Sequence, residues 1–594
     1  MPSLASVSRR QLLEYFSSIG LSSTLLPGVV WAQAQQQQPG AGQAATLTRE
    51  MLRGAAAVAG LTFTDEQLDE MLEGLSQNVE RYKELRRIPL ENGVPLSLHY
   101  SPLTPGMSVD REARPPRPGA VPSLRRPARL EDAAYWPVLH LAELVRTRQV
   151  RSVELTEMYL DRLKRLNPTL NCVVTYTDDL AMQQARDADA AIAAGRYNGV
   201  LHGIPWGAKD IIAVRGYPTT WGSGAFREQR FERDAGVVDL LRDAGAVLVA
   251  KLSTGELAGG DRWFGGRTNS PWDPNEGSSG SSAGPAYATA GGGVGFGIGT
   301  ETSGSILSPS SICGATGLRP TYGRVTRAGV MTLLWSQDRV GPLCRTVEDC
   351  AAVLHAIARA DGRDFSVVDL PFNWDAARDL RSLRIGYLDD AFDEPNRDAA
   401  LKANDDAVLT QLRALGLTLT PFRLPDFPMM RATSAILGVE SATAFDEFAR
   451  SGGDARLTTP GRGTGFRRGH FIPAVEYLQA QRVRGLIMQQ FADATAPFDV
   501  WVAPYLDMRA YRPPPTPAPG APPVVQPPPG PIMSHFSVAN LCGYPCISVP
   551  NGFNQKQQPT NVTFLARPYH EAEMLAVAKA YQDATPWHLR HPTL

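Results

Sequence analysis

The sequence predicts an α/β protein, a mixed sheet covered by helices on both faces. The main observation is texture: from about residue 130 onward, short apolar runs of strand length alternate with helical segments, as βα units do. A second is size, since 594 residues with 43% hydrophobic content supply the core of one large or two ordinary domains. A third is charge. The formal net charge of -1 leaves no basic excess to neutralise phosphates, so a nucleic-acid partner is not expected.

Taken in order, residues 1–34 read as an address. Ser8-Arg9-Arg10-Gln11-Leu12-Leu13 is a twin-arginine pattern followed by a weakly apolar stretch, 15–30. Ala32-Gln33-Ala34 then offers the small residues a signal peptidase accepts, which would start the mature chain near Gln35. The plainer alternative is a disordered terminus with a chance arginine pair. No later stretch reaches the roughly 18 apolar residues that span a bilayer, so the expectation is a periplasmic or secreted protein without a membrane span.

Residues 35–129 form a distinct extension. After a glutamine-rich spacer, Thr64 and Gln67 have the spacing of a capping box. Leu68, Met71, Leu72, Leu75, Val79 and Tyr82 follow at helical spacing, an apolar face expected to dock on the main body. Residues 89–130 are rich in proline and arginine, as in Arg114-Pro115-Pro116-Arg117-Pro118, and read as an extended connector over the surface.

Residues 130–594 are the main domain. Periodicity predicts helices over 152–165, 176–194, 235–244 and 347–359, and strands over 203–214, 246–250 and 291–298. The proline clusters of 513–531 fit neither a sheet nor a helix interior and predict a polyproline surface loop. Cys172, Cys313, Cys344, Cys350, Cys542 and Cys546 show no CxxC pair and no Cys/His spacing suited to zinc. Buried free thiols are expected, with a Cys542–Cys546 bridge as the lesser alternative.

The densest chemical signal runs over 275–324. Gly277-Ser278-Ser279-Gly280-Ser281-Ser282-Ala283-Gly284 leaves the backbone free for tight conformations. Gly299-Thr300-Glu301-Thr302-Ser303-Gly304-Ser305-Ile306 places small residues just before a serine, where successive N–H groups can converge as an oxyanion hole requires. A flexible linker is the plainer alternative, but Tyr287, Phe296 and Ile298 punctuate the stretch.

These blocks resemble the amidase signature family over roughly 130–592. So do Cys313-Gly314-Ala315-Thr316-Gly317-Leu318-Arg319-Pro320-Thr321-Tyr322-Gly323-Arg324, and Gly203-Ile204-Pro205 followed by Lys209-Asp210. Weaker matches are 499–504 and Gly543-Tyr544-Pro545 with Ser548-Val549-Pro550. The resemblance implies an α/β/α sandwich around a large mixed, twisted sheet. It also implies hydrolysis of the C–N bond of a small-molecule amide, without metal or organic cofactor. Laid on this chain without gaps, it makes Ser305 the nucleophile, Ser281 the proton relay after a cis peptide bond, and Lys209 the base. Its oxyanion donors are the backbone N–H groups of Thr302, Ser303, Gly304 and Ser305.

The physical logic agrees. A lysine is a base only when neutral, so its pKa of about 10.4 must fall by several units, which desolvation can achieve. Lys209 lies in an apolar segment. Asp210 beside it is a hazard, unless a strand points the two side chains to opposite faces. Histidines such as His202, His355 and His535 have no role in this scheme.

The chain departs from the family pattern by small-for-small changes at Ser279 and Ala283, where the family has double glycines, and at two positions that carry charge. The acidic residue before the nucleophile is Glu301 rather than aspartate, and the arginine two residues after it is Leu307. The supporting ion pair must therefore be made differently, and an uncharged substrate is slightly favoured. Three rival readings remain. One is an α/β-hydrolase esterase with Ser282 in Gly280-Ser281-Ser282-Ala283-Gly284 as nucleophile. Another is a non-catalytic scaffold, and the third is the amidase component of a tRNA-dependent amidotransferase. The export signal and the lack of basic excess speak against the last.

Overall fold

A computed structural model describes residues 47–395, 397–459, 461–506, 509 and 530–594. The proposed signal segment 1–34 and nearly all of the proline-rich 513–531 stretch lie outside the described residues.

Thirteen strands follow one another along the described chain: β1 Val173–Tyr176, β2 Pro205–Lys209, β3 Val247–Leu252, β4 Arg262–Trp263, β5 Gly266–Arg267, β6 Phe296–Glu301, β7 Thr316–Arg319, β8 Arg339–Cys344, β9 Ile385–Leu388, β10 Leu419–Phe422, β11 Val500–Pro504, β12 Cys546–Phe553 and β13 Pro559–Ala566. Eleven of them form one sheet in the order β1-β3-β2-β6-β8-β7-β12-β13-β11-β9-β10, while β4 and β5 make a separate hairpin. The sheet is mixed. β3, β2 and β6 are parallel, as are β11, β9 and β10, and the strands between these groups pair antiparallel.

Helices cover both faces, so every residue of β2, β3, β6, β7, β8, β11 and β13 is buried. That is why these strands read as continuous apolar runs instead of alternating ones. The two faces still sort by parity. Val500 and Val502 join the core that contains Leu575 and Val577 of the helix Glu571–Asp583. Trp501 and Ala503 join Phe491 of the helix Ala474–Thr495 on the other side.

The predicted helices occur as Ser152–Leu170, Asp178–Ala193, Gly236–Asp243 and Val347–Ile357. Two strands differ from expectation. The 203–214 run is a strand only at β2, and the chain turns after Lys209. The run expected at 291–298 becomes β6 five residues later, because Gly291 caps the helix Ala283–Ala290 and Gly292 takes φ +69°. All six cysteines are buried free thiols.

In the extension, the helix Asp65–Leu85 carries the Thr64/Gln67 capping box. Within its apolar face Leu68 is fully buried, whereas Tyr82 is exposed. It pairs with the helix Arg49–Val58 through Arg49–Asp69, Arg49–Asp65 and Arg53–Asp65 contacts. The connector runs extended over the body. Arg117 N donates to Trp374 O at 2.8 Å, and Ala376 N donates back to Arg117 O at the same distance. No helix among the described residues is long and apolar enough to cross a membrane.

Backbones approach closely where β8 meets β7. A Cβ on Gly341 would lie 2.1 Å from Leu318 O. Gly341→Ala is therefore expected to lose about 3 kcal/mol of stability by forcing these strands apart, measured as a lower urea midpoint at unchanged slope.

Candidate active site

Lys209 is the last residue of β2, and Glu301 is the last residue of its parallel neighbour β6. The carboxyl ends of parallel strands are where open α/β sheets assemble sites, because the loops that follow can converge there. Lys209 is fully buried. Its Nζ lies 2.7 Å from Ser281 Oγ, 2.8 Å from Thr300 Oγ1 and 3.3 Å from Thr300 O. Burial lowers its pKa to about 7, against the opposing charges of Asp338 and Glu301.

The Gly280–Ser281 peptide bond is cis. Ser282, the next residue, ties this segment to the nucleophile candidate, since its N–H donates to Ser305 O at 3.0 Å. The hydroxyl of Ser282 is otherwise engaged: it donates to Thr300 O at 3.0 Å and accepts from Thr300 N at 3.1 Å. Ser282 is thus a clamp between the serine loop and β6, which removes the geometric basis for an esterase built on it.

Residues 302–305 form the bend after β6, with Gly304 at φ +85°. The backbone N–H groups of Thr302, Ser303, Gly304 and Ser305 meet no acceptor among the described residues. The next two, of Ile306 and Leu307, donate to Glu301 Oε2 at 2.8 and 3.0 Å. Ser305 retains 9% exposure. The Phe536 ring passes close to Gly304 and forms one wall beside the loop.

The two departures at the family's charged positions now have an account. Glu301 finds its cation in Arg319 at 2.9 Å and a further donor in Asn540 at 3.2 Å. Burial pushes the Glu301 carboxyl up, but Arg319 and the two backbone N–H groups outweigh it and hold it below its ordinary value. Leu307 is fully buried in the core beside Phe491 and Trp501.

The hazard posed by Asp210 is removed by a partner rather than by strand alternation, since Asp210 lies past the end of β2. Lys251 of β3 donates to Asp210 Oδ1 at 2.6 Å, and Thr220 N donates to Oδ2 at 3.0 Å. The Asp210 negative charge is thereby matched locally by a second buried lysine.

Sequence reasoning missed the residues that hold the site. Thr300 is the second partner of Lys209. Asp338 accepts from the Thr302 hydroxyl at 2.5 Å, and Gln337 Nε2 donates to Thr302 O at 2.8 Å. Arg319 lies in the run from Cys313 to Arg324, where no local signal marks Glu301 as its partner. The histidines lie elsewhere: His202 stacks on Tyr197 with its Nδ1 accepting from Asn198 N, and His535 is buried against Pro504 O with its pKa lowered to about 4 by burial. No cluster suited to a metal ion occurs among the described residues.

Comparison with known proteins gives the family and the fold. The family model "Amidase" matches residues 154–575. A glutamyl-tRNA(Gln) amidotransferase subunit from Methylococcus capsulatus is 36% identical over 487 residues, covering 76% of this chain and 98% of that protein. The native peptide amidase of Stenotrophomonas maltophilia superposes with a TM-score of 0.67 at 27% identity, over 78% of this chain and 99% of that one. A bacterial aryl acylamidase of the amidase signature family shares the fold, with a TM-score of 0.66 at 21% identity over 76% of this chain and 97% of that one. With the family model over most of its main domain, this chain belongs to the amidase signature family of enzymes that act on amide C–N bonds.

Proposed function

We propose that this protein is an exported amidase that cleaves a carboxylic amide through an acyl-enzyme on Ser305, with Ser281 as proton relay and Lys209 as base. The observation that carries this reading is the 2.7 Å contact between a fully buried lysine of lowered pKa and Ser281, beside the loop that bears Ser305.

The chemistry follows from the donors and acceptors in place. Neutral Lys209 accepts the Ser281 proton as Ser281 accepts that of Ser305, so the Ser305 oxygen attacks the amide carbonyl. The oxyanion formed meets the four N–H groups of residues 302–305, which need little reorganisation because none of them has a backbone acceptor to give up among the described residues. The proton returns from Lys209 through Ser281 to the nitrogen, and the C–N bond breaks to release the amine. Water then attacks the acyl ester by the same route and leaves a carboxylic acid. Esters share the tetrahedral intermediate and are expected as secondary substrates.

Neither Leu307 nor Arg319 offers a free cation to a substrate carboxylate. Leu307 is apolar, and Arg319 is held by Glu301 and by Tyr544 O at 3.1 Å. This favours an uncharged amide around the scissile bond. The amidotransferase relatives give a second reading, glutamine as amide donor. A screen of carboxamides against glutamine, read as ammonia released, distinguishes the two.

Ser305→Ala and Lys209→Ala are each expected to lower kcat/KM by about four orders of magnitude, and Ser281→Ala by about three, measured with the best amide from that screen. Near-normal turnover by Lys209→Ala would remove the mechanism. Because the base must be neutral, kcat/KM should rise tenfold per pH unit up to about 7, the lowered pKa of Lys209, and then level. A profile that peaks near pH 5 would contradict it. For export, the twin-arginine segment supports the reading, and Arg9→Lys with Arg10→Lys should retain the protein in the cytoplasm on cell fractionation.

A further inference from the structure

The family match begins at residue 154, yet part of the chain before it reaches the segment that supports the candidate site. Asn92 of the connector clamps the backbone of Thr332 on both sides. Thr332 N donates to Asn92 Oδ1 at 2.7 Å, and Asn92 Nδ2 donates to Thr332 O at 3.0 Å and to Ala444 O at 3.1 Å. Two residues further along the connector, Val94 O accepts from Trp335 Nε1 at 3.1 Å. The centre of the Tyr100 ring lies 3.5 Å from the guanidinium carbon of Arg484, which itself donates to Ser336 O at 2.9 Å and Ser336 Oγ at 3.0 Å.

The segment held this way, 332–338, is the one that grips the loop before Ser305. Gln337 Nε2 donates to Thr302 O, and the Thr302 hydroxyl donates to Asp338 Oδ1. Asp338 Oδ2 accepts from Leu333 N at 2.7 Å and Leu334 N at 2.9 Å, which folds the segment back on itself next to Thr332. Val330, Met331, Thr332 and Leu333 also share a small cavity with Thr300 and Thr302. A short relay of hydrogen bonds thus connects Asn92 through Thr332, Leu333 and Asp338 to Thr302.

We propose that Asn92 is a positioning residue for the reaction: from the N-terminal connector it fixes segment 332–338, and through it the pose of the N–H groups at 302–305. The proposal rests on the reading of those groups as the oxyanion donors. Such donors act on the transition state and lose effect when displaced by a fraction of an ångström, so loosening their support lowers turnover more than substrate binding.

The test is steady-state hydrolysis of p-nitrophenyl acetate by the full chain. Asn92→Ala is expected to lower kcat about tenfold with KM within about twofold, and to shift the thermal midpoint by no more than about 3 °C. Thr302→Val, which keeps the N–H but removes the hydroxyl bonded to Asp338, should give a similar loss, and the double variant should match the worse single one, because both break the same relay. Unchanged kcat, an effect on KM alone, or losses that multiply in the double variant would each overturn the proposal. If Asn92→Ala does not fold, Asn92→Asp carries the test: it keeps the acceptor for Thr332 N, loses both donated bonds and should lower kcat about threefold with the same KM. Ser305→Ala, assayed beside these, separates the two levels, since an active Ser305→Ala enzyme would overturn the oxyanion reading and this proposal with it.

Discussion

The site depends on a buried amine without an ion-pair partner among the described residues. Lys209 ends β2 inside a sheet covered on both faces, and its Nζ meets hydroxyl and carbonyl oxygens of Ser281 and Thr300. An ammonium there is poorly solvated, so the neutral form becomes accessible near neutral pH. Any carboxylate in direct contact would reverse this by favouring the charge. The rest of the local structure can be understood as keeping carboxylates occupied elsewhere.

Two buried pairs do this. Lys251 takes Asp210, the immediate neighbour of Lys209, and Arg319 takes Glu301, the residue after Thr300. Buried pairs of this kind contribute little net stability, because desolvation offsets their attraction, but they confine each negative charge to its own cation. Glu301 does two things at once. Its second oxygen receives the N–H groups of Ile306 and Leu307 at the start of the helix Leu307–Cys313, so the helix is capped just after Ser305. The N–H groups just before that cap are left for the oxyanion of the proposed reaction.

Glu301 reaching Arg319 also explains how a chain with leucine at 307 keeps the arrangement. The longer side chain of glutamate spans to a guanidinium on β7, a nearby strand of the same sheet, while the leucine fills the core beneath the loop. The loop is then held from its other end by Gln337 and Asp338, whose segment is anchored in turn by Glu440 and Arg484.

The fold class and the main helices were legible in the sequence, and the family resemblance pointed to Lys209, Ser281, the 302–305 loop and Ser305, of which the structure joins Lys209 to Ser281 and Ser282 to Ser305. These were legible because their signals are local. Apolar runs, glycine-serine blocks and capping residues act through neighbours a few positions away. Tertiary structure alone decided who pairs with whom. That Asp210 belongs to Lys251, that Glu301 belongs to Arg319, that Ser282 clamps β6 and that Asn92 holds Thr332 are contacts spanning from 18 to 240 positions of chain. No periodicity encodes them. They arise because strands distant in sequence become neighbours in the sheet, and because buried polar groups must then find partners among whatever the fold brings within reach.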